Sequence, residues 1–85
     1  MKWDELRRVL AKKLGATHVP GTKHDFWHVY CGEIYVGKVK DVKGGGEVRN
    51  HERGNIADSL CINENNLKKL VACTLTKEEF CQMQN

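Results

Sequence analysis

Eighty-five residues, 40% of them hydrophobic, set the scale of what this chain can be. A chain this short buries only about 60 to 65% of its unfolded surface and supports one core, which excludes several large domains and a roomy enclosed substrate cavity. The net charge of +3 favours an anionic partner without requiring one, and no apolar run is long enough for a helix to span a bilayer.

Trp3, Leu6, Val9, Leu10 and Leu14 recur at helical spacing, with Asp4 and Glu5 in the first turn and Lys12 and Lys13 in the last. Each sign complements the helix dipole, and Gly15 ends the helix. This pattern begins immediately after the first residues, so no signal peptide is expected and a cytoplasmic location is. Ala16 to Val19 reads as a short strand, reversed by Pro20-Gly21. From His24 to Cys31 the period is two: Trp27, Val29 and Cys31 share one face, and His24, Phe26, His28 and Tyr30 share the other. After Gly32-Glu33, Ile34 to Lys40 alternates again, predicting an antiparallel hairpin and a three-stranded sheet.

Asp41 to Gly54 carries Gly44-Gly45-Gly46 and few apolar residues, which predicts a mobile surface loop with a little extra strand at 47–49. Asn55 to Leu60 reads as a short helix with Ile56 and Leu60 on one side. Asn63 can cap a further helix, with Ile62 stapled to Leu67; Thr76 and Glu79 form a capping box for another, with Leu75 stapled to Phe80. Residues 1–85 are thus expected to form a single α+β domain: an N-terminal helix, a three-stranded antiparallel sheet and short C-terminal helices packed on it. Cys31, Cys61, Cys73 and Cys81 are widely spaced and mostly at apolar positions, so they are expected to be reduced and mostly buried.

The segment with chemical potential is Gly21-Thr22-Lys23-His24-Asp25-Phe26-Trp27. Trp27 is expected to point into the core, leaving the His24 imidazole on the opposite face. Histidine titrates near neutrality and can take a proton from a ribose 2′-hydroxyl or return one to a leaving oxygen, and Lys23 stands beside it to meet phosphate charge. A lone strand histidine is more often structural, so these residues alone leave its role open. His28 lies about 7 Å along the same face, but no Cys or carboxylate is placed to complete a tetrahedral site with the pair, and no metal or other cofactor is expected. His18 and His51 read as solvated surface residues.

These residues bring the chain close to a known family. Lys23-His24-Asp25-Phe26-Trp27 after Gly21, followed by Asn66-Leu67-Lys68-Lys69-Leu70 and Thr76-Lys77-Glu78-Glu79-Phe80, resembles the HicA toxins, small antitoxin-controlled ribonucleases with a double-stranded-RNA-binding-domain-like fold. The resemblance covers most of the chain. It departs at Lys23, where a serine is common, at Thr22, where glycine is frequent, and in the short helix inserted before the closing one. It implies metal-independent RNA cleavage with His24 as general base or acid. It further implies RNA contacts from Lys23, Phe26, His28, Tyr30, Lys38 and Lys40, and an antitoxin protein that covers this face. Two readings compete with it. One is a non-catalytic module of the same fold that holds RNA through its sheet face, or a protein partner. The other is DNA binding through a helix-turn-helix-like segment, 55–71, presenting Glu64, Asn65, Asn66, Lys68 and Lys69. Apart from these, Phe26 and Tyr30 have a structural reading in which a late helix covers them.

Overall fold

The computed structural model describes residues 1–72 and 74–84. Helix α1 (Trp3–Arg8) runs directly into a π-helical stretch, Val9–Lys13, in which the Leu14 amide reaches back to the Val9 carbonyl at 2.9 Å. This wider turn keeps Leu6, Val9, Leu10 and Leu14 all buried. Gly15 then adopts φ +60°, a left-handed conformation that carries little penalty without a Cβ, and the Ala16 amide folds back onto the Leu10 carbonyl at 2.8 Å.

Strands β1 (Thr17–Val19), β2 (Asp25–Cys31) and β3 (Ile34–Asp41) form an antiparallel sheet in the order β1-β2-β3. Register assigns its two faces. His18, Trp27 and Val39 lie in one cross-strand row, with Val29 opposite Gly37 and Asp25 opposite Asp41, and on this side Trp27, Val29, Val39 and Asp41 are buried. The alternate rows are Val19-Phe26-Lys40 and Thr17-His28-Lys38. A bulge after Val29 inserts Val36 and brings Tyr30 opposite Tyr35. The face containing Trp27 packs on α1 and the later helices in one cluster that includes Leu6, Leu10, Leu60, Leu67, Leu70 and Phe80, all fully shielded from water. Each contributes about 1.5 to 3 kcal/mol of burial free energy.

The expected mobile loop is instead short and tied down. Helix α2 spans Asn50–Ser59, longer than the short helix expected from residue 55, because Glu52 reaches back to the Arg49 amide at 2.9 Å and starts the helix there. Before it, Val48 is buried, its amide bonds the Met1 carbonyl at 2.9 Å, and the Trp3 amide bonds the Gly46 carbonyl at 3.0 Å. The strand expected at 47–49 is reduced to one bridge between Lys2 and Glu47. Helix α3 (Glu64–Val71) is capped by Asn63, whose Oδ1 accepts from the Asn66 amide at 2.8 Å, and α4 (Lys77–Gln82) has the Thr76–Glu79 capping box. Leu75 and Phe80 are both buried, as the staple requires.

The cysteines depart from expectation. Cys31 and Cys81 are disulfide-bonded, with Cα atoms 5.7 Å apart across a sequence separation of 50. Strand alternation puts Cys31 on the helix-covered face, and α4 folds back to meet it, a proximity that spacing in sequence cannot reveal. A cross-link closing a loop of that length contributes about 2 to 4 kcal/mol. Cys61 is exposed rather than buried, at the α2–α3 corner with φ +57°; Cys73 lies outside the described residues.

Candidate nucleic-acid interface

The turn before β2 positions Lys23 and His24. Gly21 is required here, since a Cβ would lie 2.3 Å from the His24 carbonyl oxygen. Asp25 locks the turn: one oxygen accepts from the Gly21 amide at 3.0 Å and the other bonds His18 Nε2 at 2.8 Å, while Lys43 Nζ stands 3.4 Å away and also donates to the Gly21 carbonyl. The Gly21 amide, followed by His18 and Lys43, holds the Asp25 carboxyl below its ordinary pKa. An ionised carboxylate only accepts, so His18 Nε2 carries the hydrogen of that bond. His18 also stacks on Trp27 with ring centroids 4.4 Å apart, so it is a specifically held residue and not merely a solvated one. Within the turn His24 is half-buried, and its Nδ1 is shielded from water without a hydrogen-bond partner. Lys23 is exposed.

A second network lies at the same open end of the hairpin, where Asp41 at the end of β3 stands opposite Asp25. Asp41, 3% exposed, accepts from Arg7 Nε at 2.8 Å and Nη2 at 2.9 Å, from Trp27 Nε1 at 3.1 Å and from the Lys43 amide at 2.9 Å. Burial pushes its pKa up, but the Arg7 guanidinium, the Lys43 amide and the Trp27 indole outweigh that and hold it at about 2. Trp27 links the two networks, stacking on His18 of the first and donating its indole N–H to Asp41 of the second, while Phe26 and His28 project from the other side of the strand.

That other face is open. Tyr30 and Tyr35 are 42% and 48% exposed and meet edge to face, with centroids 5.2 Å apart. The Tyr35 hydroxyl and His28 Nδ1 are hydrogen-bonded at 3.1 Å. Lys38 Nζ rests 4.8 Å from the centre of the Phe26 ring, and Lys40 is exposed beside it. No late helix therefore hides Tyr30, and Phe26 is only half-buried.

Helix α2 runs along the β3 edge, close enough that a Cβ on Gly37 would lie 2.2 Å from the Ser59 carbonyl oxygen. Between them lies a groove of about 400 Å³ lined by Phe26, Lys38 and Lys40 from the sheet and by His51, Asn55 and Ser59 from α2, with Trp3 and Ile56 at its apolar floor. The structure thus gathers Phe26, Lys38 and Lys40 in the groove and His28 and Tyr30 in an adjoining aromatic cluster with Tyr35; Lys23 and His24 stand apart at the turn leading into β2. Sequence reading missed Tyr35, His51 and Asn55. The bulge displaces Tyr35 from simple alternation, His51 falls in the expected loop, and Asn55 stands at the start of the expected short helix with no signal that it faces the sheet. On α3, Glu64, Asn65, Lys68 and Lys69 are exposed, and Glu64 is paired with Arg53 of α2 at 3.7 Å.

Among the described residues no helix is long and apolar enough to cross a membrane, and no group of three or more His, Cys, Asp or Glu side chains is arranged to hold a metal ion. In comparisons with known proteins, no family model, no curated protein and no solved structure matches the chain.

Proposed function

We propose that this protein binds RNA across the open face of its sheet and cleaves it with His24 as general base or acid, in the manner of the HicA toxins it resembles. The observation that carries the binding is the continuous surface of Phe26, His28, Tyr30 and Tyr35 flanked by Lys38 and Lys40. Bases stack on exposed aromatic rings, and ammonium groups meet the phosphates between them.

Cleavage draws on His24, half-buried in the turn that leads into β2, two residues before Phe26. An imidazole takes the proton from a ribose 2′-hydroxyl. The 2′-oxygen then bonds to phosphorus as the bond to the 5′-oxygen breaks, and that oxygen is protonated by the imidazolium or by water. Lys23, exposed on the same turn, meets the phosphate charge. A small antitoxin protein covering this face would block both steps.

The deciding experiment follows end-labelled single-stranded RNA in EDTA with the wild type and with His24→Ala, each verified as folded by circular dichroism. Fragments ending in cyclic phosphate that vanish in His24→Ala support cleavage. Intact RNA under excess wild type removes the nuclease reading. Salt-sensitive binding by both proteins would then favour the second reading, a non-catalytic RNA-binding module, which the same open face supports.

A further inference from the structure

Helix α2 presents an unusual side to the sheet. A helix packed on a sheet normally turns an apolar stripe toward it, and Ile56, Ala57 and Leu60 do face the core. The stripe at 51, 55 and 59, spaced by four residues, instead lines the groove against β3 with His51, Asn55 and Ser59. Ser59 spends its hydroxyl hydrogen on the Asn55 carbonyl at 2.9 Å, which leaves its oxygen as an acceptor. Glu52, the acidic residue on this wall, is turned to the Arg49 amide as part of the helix cap. The opposite wall is cationic and aromatic, with Lys38, Lys40 and the Phe26 ring.

An amide, an imidazole and a hydroxyl facing an aromatic plane and two ammonium groups match the parts of one nucleotide. We infer that the groove between β3 and α2 takes a single unpaired nucleotide of an RNA strand. Its base lies against Phe26, its hydrogen-bonding edge meets Asn55 and His51, and its phosphate meets Lys38 and Lys40. Lys38 now occupies the Phe26 ring face at 4.8 Å through a weak exposed contact, and it swings to the phosphate as the base enters. A groove of about 400 Å³ admits one nucleotide and not a paired duplex, so the protein selects single strands and discriminates among bases at one position. This rests on the RNA-binding reading and gives it a substrate class.

The test uses the full chain carrying His24→Ala, so that the RNA stays intact, and measures fluorescence anisotropy with labelled decamers of each base, a duplex of equal length and free nucleoside monophosphates as competitors. The expected result is preference for single strands over duplex by about tenfold, with one base favoured by about fivefold or more. Asn55→Ala then reduces the preference to within about twofold while leaving the salt slope unchanged, and Lys38→Ala with Lys40→Ala lowers the slope by about 1 to 2 without changing base preference. Base preference surviving in Asn55→Ala, or duplex bound as tightly as single strand, overturns the groove while leaving RNA binding in place. Monophosphates competing as strongly as the strands make the ligand a free nucleotide and overturn the strand assignment. Absence of any RNA binding overturns the groove and the RNA-binding reading together.

Discussion

Replacing Asp41 by asparagine tests whether a buried carboxylate is the hub that fixes the hairpin against α1. The substitution keeps the shape and removes the charge. In the wild type both carboxylate oxygens accept, four bonds in all arriving from Arg7, Trp27 and the Lys43 amide. An amide has one accepting oxygen, and its NH₂ group must face a donor on the other side. Breaking a buried ion pair from one side costs about 3 to 5 kcal/mol. Arg7 keeps one flank in water and a second contact to Asp4 at 3.3 Å, so we discount the loss to about 2 to 3 kcal/mol.

Acid gives an independent reading of the same hub. The folded pKa of Asp41, about 2, lies below the ordinary value of 3.8, so its contribution is fully present above 3.8 and is lost as pH falls through 2. That contribution is about 1 to 2 kcal/mol after allowance for screening at the open flank of Arg7. Urea unfolding followed by tryptophan fluorescence, at about pH 7 and at about pH 2, should show the gap between wild type and Asp41→Asn narrowing by that amount on the acid side. A variant within about 0.5 kcal/mol of wild type at neutral pH, or a gap that does not change with acid, refutes the hub.

Two glycines give opposite expectations. Gly37→Ala forces a Cβ onto the Ser59 backbone oxygen, so strand and helix must part; a loss of about 1 to 3 kcal/mol in chemical denaturation is expected, along with weaker RNA binding, because α2 forms one wall of the groove. Gly54 lies inside α2, where an added Cβ meets open space, and Gly54→Ala should raise stability by about 0.5 to 1 kcal/mol in the same assay.

Much of the fold was legible because its signals are local. The 3.6-residue period through Leu14 and the glycine after it, the period-two runs on either side of Gly32, and the caps at Asn63 and Thr76 each depend on residues within a turn or two of one another. The orientation of β2 followed in the same way: once Trp27 is buried, Phe26 and His28 must project from the other side. Those local patterns determined the order of elements, the antiparallel sheet and which aromatic residues of β2 could face outward.

What only the tertiary structure decided depends on groups distant in sequence. Asp41 meets Arg7 across 34 residues and Cys31 meets Cys81 across 50, and neither pairing leaves a mark on periodicity. His18 looked like an ordinary surface residue until strand pairing set it against Trp27 and Asp25. The groove has the same origin: its polar wall lies on a helix whose first turn carries no apolar residue to announce it, and it acquires a partner only because the missing side chain of Gly37 lets α2 approach β3. Sequence dictates each element's period and ends within a few residues, whereas a site between elements exists only once burial of the shared core has chosen which faces meet.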